Sequence, residues 1–318
     1  MPSPATLRHP TLADLLKITL LGTIWGSAFL AIKLSVHETG PLWLVMIRVA
    51  IAFVPIALFA WWRKDPLPPT PGDWTVIIAM SLLNTVGPFF LISWAELHIP
   101  AGVTSLIMGV GPLATMVAAH FTTPDDRFTG GKILGMVLGF AGLALVVAPE
   151  LAQGIGFDAV AYAAVWTGML CYVAAGTLIR FVRGTSVPMM TAVNMGVGVI
   201  ALTPLVLLAH DPLPHLTGTA MLAALYLGLV CTGLAYLLRA SITVTVGQSF
   251  MSMASYFMPV SGVLLAWAVL GEPITWHIVA ALACVVSGFA VSRRRPVRAT
   301  SGGTARRRSP RRPAPRKG

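Results

Sequence analysis

Charge is what this sequence lacks. Only 10% of its 318 residues are Asp, Glu, Lys or Arg, against 56% hydrophobic residues and a mean hydropathy of +0.80. A soluble domain carries roughly 25% charged residues, so this chain cannot cover itself with a wetted surface. Cysteine is also scarce. Cys171, Cys231 and Cys284 each fall inside an apolar run without metal-ligand spacing, and read as small buried hydrophobes. No metal and no cofactor is expected. No stretch between the runs is long enough to fold as a soluble sensor or scaffold domain. Of the histidines only His120 and His277 lie in a run, each next to its end, and no run holds an internal Asp. An intramembrane enzyme needs paired carboxylates or a nucleophile with its base, and a channel a ring of like charge or a filter motif. Both stand as the weaker alternatives.

What is present is length of apolar chain. Ten runs are long enough, or nearly so, to cross about 30 Å of hydrocarbon as helices. They are Leu15–Val36, Pro41–Trp61, Trp74–Leu97, Ala101–Phe121, Gly131–Ala148, Phe157–Phe181, Met189–Leu208, Gly218–Leu238, Gly247–Leu270 and Trp276–Val291. Membrane strands would alternate in polarity over about 9–11 residues, whereas these runs are continuously apolar. The expected fold is therefore all-α and membrane-spanning. The first run is too long for the apolar core of a cleaved leader, and reads as the first span.

Basic residues mark cytoplasmic loops. With ten spans and an inside N-terminus, every Lys and Arg except Lys33 and Arg48 falls on the inner side. Both termini are thus expected in the cytoplasm, with the protein in the cytoplasmic membrane. Residues 292–318 are rich in Arg, Pro, Gly and Ser without an acidic residue, the composition of a disordered tail. Such a tail attracts anionic lipid headgroups at about 1 kcal/mol per basic residue. It has no stacking aromatics, so no specific nucleic acid is expected.

The chain also repeats itself. Lys33 is answered by Arg180, Pro41 by Pro188 and Pro112 by Pro259, each pair about 147 residues apart. Nearby registers pair Ala95 with Ala240, Gly102 with Gly247, Asp126 with Glu272, Thr129 with Thr275 and Gly142 with Gly288. The organisation that follows is a short N-terminus (1–14), a first five-helix repeat (15–148), an outer linker (149–156), a second repeat (157–291) and the tail. Five crossings are an odd number, so the second repeat enters the membrane inverted.

These features resemble the drug/metabolite transporter superfamily, specifically proteins with two EamA domains. The resemblance runs from Gly22 to Val291. It rests on Trp25-Gly26-Ser27, Arg48, the Ala95…Gly102…Pro112 series, Gly271-Glu272-Pro273-Ile274-Thr275 and Gly288. The first repeat departs from it, with Pro124-Asp125-Asp126-Arg127 where a Gly-Glu pair belongs. The resemblance implies a secondary carrier of small metabolites, often an exporter, working by alternating access between inverted repeats. Amino acids, related polar compounds and drugs are among its substrate classes. Monomer and dimer are both compatible with it.

Candidate site residues follow from depth in the runs. Arg48 lies roughly 10 Å into its helix at 1.5 Å per residue, where lipid exposure costs at least about 2.5 kcal/mol. It either binds a substrate carboxylate or gates the outer mouth, or else it snorkels or pairs with Glu96 or Glu38. Glu96 is either a titratable coupling group inside the bundle or a wet residue at its rim. Pro112 and Pro259 remove backbone donors near mid-span, and are expected to break their helices beside a cavity. Asn84, Ser105, Asn194, Ser252, Ser255 and Tyr256 supply uncharged polar groups at similar depth. Each serves either substrate or a helix–helix hydrogen bond. Trp25, Trp94, Trp166 and Tyr172 are stacking surfaces or apolar walls. Trp43, Trp61, Trp62, Trp74 and Trp276 belong to the interfacial belt.

Overall fold

The computed structural model describes residues 8–122, 128–151, 157–209 and 213–292. The Pro124–Arg127 loop and the basic tail from Arg293 lie outside the described residues. Among the described residues there is helix and no strand. That is the outcome expected where lipid offers the backbone no hydrogen-bond partner.

The helices are α1 (Leu12–Trp62), α2 (Pro71–Ala95), α3 (Ala101–Thr122), α4 (Gly130–Leu151), α5 (Phe157–Leu178), α6 (Val187–Ala209), α7 (Gly218–Thr245), α8 (Ala254–Leu270) and α9 (Trp276–Ser292). The first seven are long and apolar enough to cross a membrane, and α8 and α9 are shorter apolar helices. Helix α1 is two arms. An unbroken helix of 51 residues would be roughly 76 Å long, far beyond a bilayer. The chain breaks at Gly40, whose φ of 68° favours glycine, and Pro41 then supplies the fixed φ that opens the second arm. Nothing lies within 4 Å of where a Gly40 side chain would stand, so backbone conformation alone requires glycine there.

Polar contacts sort the helix termini into two ends. At one, Lys33 donates to the carbonyls of Glu96 (2.5 Å) and Ile99 (3.1 Å), and Glu272 holds the start of α3. Asp14 lies about five turns before Lys33 and Asp73 about six before Glu96, so both belong to the other end. There Arg8 pairs with Asp14, the Arg8 amide donates to Thr245 O (3.3 Å) and the Arg183 amide to Asp73 (2.7 Å). Arg180 donates to Thr122 O (2.8 Å) at the same end. Glu38, just past Lys33, receives the Thr217 amide (2.7 Å) and hydroxyl (2.8 Å), which fixes the start of α7. Helices α2 and α7 therefore run in opposite directions, and so do α3 and α8.

Packing relies on small residues, as membrane helices require in the absence of a hydrophobic drive between them. Helices α4 and α9 lie along one another. A methyl group on Gly288 would stand 2.5 Å from the Gly135 carbonyl oxygen, and one on Gly135 would collide with the Gly288 carbonyl. Helix α8 packs on both α1 and α3, and the second arm of α1 on α6 and α7.

Candidate functional site

Helices α2 and α7 each loosen into a π-helical turn in mid-course, at Leu82–Val86 and at Leu227–Leu234. These places correspond in the internal repeat. Such turns leave the i→i−4 ladder and frequently mark functional sites. Each carries a threonine that bonds to a helix of the other repeat. Thr85 Oγ1 donates to Asn194 Oδ1 on α6 (2.6 Å), and Thr232 Oγ1 accepts from Arg48 Nε on α1 (2.9 Å). Thr232 in turn donates to Leu227 O within its own π turn (2.8 Å). One turn earlier the match continues: Ser81 Oγ donates to Asn194 O (2.6 Å), while Gly228 brings α7 against the Arg48 carbonyl and Ile51. Arg48 and Asn194 thus occupy corresponding places in the two halves.

Arg48 is buried, with only 8% of its surface exposed. Its guanidinium lies over the Phe89 ring, 3.7 Å from the centroid, a cation–π contact that offsets part of its desolvation. Tyr172, Cys231, Tyr236 and Glu96 are its electrostatic neighbours. Snorkelling is ruled out by that burial. Among the described residues no carboxylate forms an ion pair with Arg48, and Glu38 is committed to Thr217. Asn84 Nδ2 donates to Tyr236 Oη (2.5 Å) and joins the π turn of α2 to α7. Ser27 and Tyr226 share a hydrogen bond of 2.7 Å between α1 and α7.

The remaining candidates divide. Trp25 is half-buried against the largest core cluster, as are Tyr172, Met253 and Met258. Ser252, Ser255 and Tyr256 are half-buried at the start of α8, and Tyr256 lies 4.4 Å from Phe289 between ring centroids. Ser105 is fully buried, donates to Gly102 O (2.7 Å), and is pressed against Gly262 where α3 crosses α8. Trp94 packs on His98, and Trp166 stacks on Phe140. Trp61, Trp62 and Trp276 are exposed. Pro112 stands two residues after a helical interruption at Val110. Pro259 instead lies inside α8, and the interruption of that run falls earlier, at Ser252-Met253. The physical reason that α8 runs on through Pro259 is that the one bond lost is that to the carbonyl four residues back, here Ser255, in the first turn of α8.

Glu96 caps the C-terminus of α2 and is not a wet rim residue: it is fully buried, and neither carboxylate oxygen has a hydrogen-bond partner. Glu272 is its opposite. Helix α8 ends on left-handed Gly271 with paired turn bonds to Trp267 O (3.2 Å) and Ala266 O (3.3 Å). The turn delivers the Glu272 carboxylate onto the Ala101 (2.8 Å) and Gly102 (2.9 Å) amides, at the positive end of α3. A side chain on Gly102 would meet that carboxylate at 3.1 Å. The Gly-Glu-Pro sequence is thus a clasp between the repeats. Sequence reasoning named neither this clasp nor Thr85, Thr232, Phe89 and Tyr236.

Stacked apolar helices with polar contacts confined to their crossings and ends define a multi-pass membrane protein. The EamA-like transporter family matches this chain twice, at residues 13–148 and 159–294, and the chain belongs to that family. It is a small-molecule transporter and not an enzyme. It is 25% identical over 296 residues to the uncharacterized transporter YoaV of Bacillus subtilis, covering 88% of this chain and 98% of that one. A probable amino-acid metabolite efflux pump of Salmonella typhimurium is 24% identical, with 86% and 92% covered. A probable terminal-alkyne amino-acid exporter of Streptantibioticus cattleyicolor is 26% identical, with 80% and 84% covered. One crystal structure shares the fold with a TM-score of 0.64 at 20% identity, covering 89% of this chain and 97% of the other.

Proposed function

We propose that this chain exports small carboxylate-bearing metabolites, of the amino-acid class, by alternating access. It does so as ten spans in two inverted five-helix repeats, 15–148 and 157–291. The two arms of α1, the other six long helices, and α8 and α9 supply the ten crossings. The opposite directions of α2 and α7, and of α3 and α8, support the inversion, since they are repeat partners. Basic loops put the Asp14–Asp73–Thr245 end in the cytoplasm of the cell membrane, with both termini. The basic tail holds this orientation against anionic headgroups.

The observation that carries the substrate class is Arg48. A buried guanidinium without a carboxylate partner among the described residues, beside a π turn at the repeat interface, suits a substrate anion through charge-assisted bonds. Asn84, Trp25, Ser252, Ser255 and Tyr256 complete the path between the halves. Ser105 serves the α3–α8 crossing, and Asn194 holds the corresponding place without charge. Relatives named as amino-acid efflux pumps and exporters support the same class.

The test is thermal unfolding of the purified full chain with a panel of L-amino acids and their decarboxylated amines. A ligand at a hundred times its Kd stabilises by about 2.7 kcal/mol. Carboxylate-bearing compounds are expected to raise the midpoint of the natural protein while the matching amines do not. Arg48→Met is expected to lose the response with its ligand-free midpoint nearly unchanged. Equal responses to acids and amines, or in Arg48→Met, would overturn the assignment.

A further inference from the structure

A carboxylate that is wholly buried and makes no hydrogen bond is costly to keep ionised. Glu96 is in that position. Its exposure is 0%, and neither Oε1 nor Oε2 finds a donor. The charged groups that face it are Lys33 and Arg48 from the two arms of α1, and Glu272 from the α8–α9 turn. His98 follows in the connection after α2. None of these groups supplies a hydrogen bond to the Glu96 carboxyl. The Lys33 ammonium is spent on main-chain oxygens, that of Glu96 itself (2.5 Å) and that of Ile99 (3.1 Å). Arg48 is spent on Thr232 and Phe89. Glu272 is an acid, and it is the one of the pair provided with donors, the Ala101 and Gly102 amides. Two neighbouring carboxyl groups thus have opposite surroundings. One is arranged to hold charge, and the other is arranged to hold none.

We propose that Glu96 is a proton-binding site, occupied while the Glu272 clasp is closed and open to exchange with solvent when the clasp releases. The proton is the cation that fits, because it needs no volume and Glu96 has no exposed surface at which a hydrated ion or an ammonium could stand. The clasp controls access for a geometric reason. Glu96 lies between α2 and the start of α3, and the Glu272 turn fastens that start to the end of α8. Loosening the turn separates the two repeats at this end and admits water to the carboxyl. Binding and release of one proton would then accompany each opening of this end, which couples transport to a proton gradient.

The experiment is infrared difference spectroscopy of the full chain in lipid, stepped across pH with the proton itself as the probe. The expected result is a protonated-carboxyl stretch that persists at neutral pH in the natural protein and is absent in Glu96→Gln. In Glu272→Gln, where the clasp loses its charge and one acceptor, the same band is expected to titrate away in the ordinary carboxylate range. A Glu96→Asp variant, which keeps the acid and shifts its band, replaces Glu96→Gln if the latter fails to fold. The inference fails if the neutral-pH spectrum is the same with and without Glu96. It also fails, in its gating half, if Glu272→Gln leaves the titration of the band unmoved. No transported compound enters the measurement, so its outcome is independent of the substrate class proposed above.

Discussion

The Arg48–Thr232 and Thr85–Asn194 crossings join corresponding helices at corresponding π turns, yet only the first carries a charge. In the second, Ser81 adds a hydroxyl bond to the Asn194 carbonyl (2.6 Å). In the first, Gly228 occupies that place, and the two backbones close directly on one another. Duplication fixes the geometry of both crossings, because each must reconcile a π turn with a neighbouring helix. The side chains then diverge. The half with the amide is satisfied by its own hydrogen bonds, and so is structural. The half with the guanidinium keeps a formal charge that one threonine and one ring do not neutralise. Under the proposed function, the unequal chemistry of this pseudo-symmetric pair would orient the carboxylate of a ligand toward the Arg48 side.

The largest expected effect breaks this comparison at Gly228. A first side-chain carbon there would stand 2.5 Å from Ile51 Cγ2 and 3.1 Å from the Arg48 carbonyl. Gly228→Leu should destabilise by about 3 kcal/mol, the upper part of the overpacking range, because a main-chain oxygen cannot move aside as a flexible side chain does. Ser81→Ala, at the corresponding place, removes one hydrogen bond and should cost about 1 kcal/mol. Unfolding in mixed micelles measures both, and equal losses would mean that the two crossings are not packed as described.

Next in size is Thr232→Val. Arg48 Nε loses its acceptor while buried, and leaving a buried donor unsatisfied costs about 1–3 kcal/mol. The substitution keeps shape, so the loss is electrostatic. It should be largely recovered in the double variant Arg48→Met/Thr232→Val, where no donor is left stranded. Absence of that recovery would show that Thr232 matters for the π turn through its bond to Leu227 rather than for Arg48.

Much of this architecture is legible in the sequence, and the parts that are not share a cause. The apolar runs read directly as helices because lipid leaves the backbone no other option. The Gly40-Pro41 pair separates the first two runs as their chemistry demands. Pro259 misleads because it lies early in α8 and takes only one bond from the first turn, while the interruption falls six to seven residues before it, at Ser252-Met253. The π turns leave no mark, since no residue type selects an i→i+5 bond. The Arg48–Asn194 correspondence is present in the repeat spacing, but unlike residues conceal it. Glu96 and Glu272 look alike in sequence as carboxylates at span ends. Only tertiary structure separates them, by giving two amides to one and none to the other.

The smallest expected effect sharpens the comparison from its neutral side. Thr85→Val removes the hydroxyl that donates to Asn194 Oδ1 (2.6 Å). Interhelical hydrogen bonds in membranes average about 0.6 kcal/mol, because the separated helices find other partners. Asn194 Oδ1 loses the donor, but it is an uncharged amide oxygen, for which a lost partner costs less than for a charged group, and the main-chain oxygen of Asn194 keeps the bond from Ser81. Thr85→Val should therefore cost about 0.6 kcal/mol, well below Thr232→Val, and should leave the ligand response of the protein as it was. Each valine variant removes one hydroxyl, at corresponding positions of the same fold, so the gap between their costs isolates the charge. Should Thr85→Val prove as costly as Thr232→Val, the asymmetry lies in the packing of the π turns, and the guanidinium is not what distinguishes the halves.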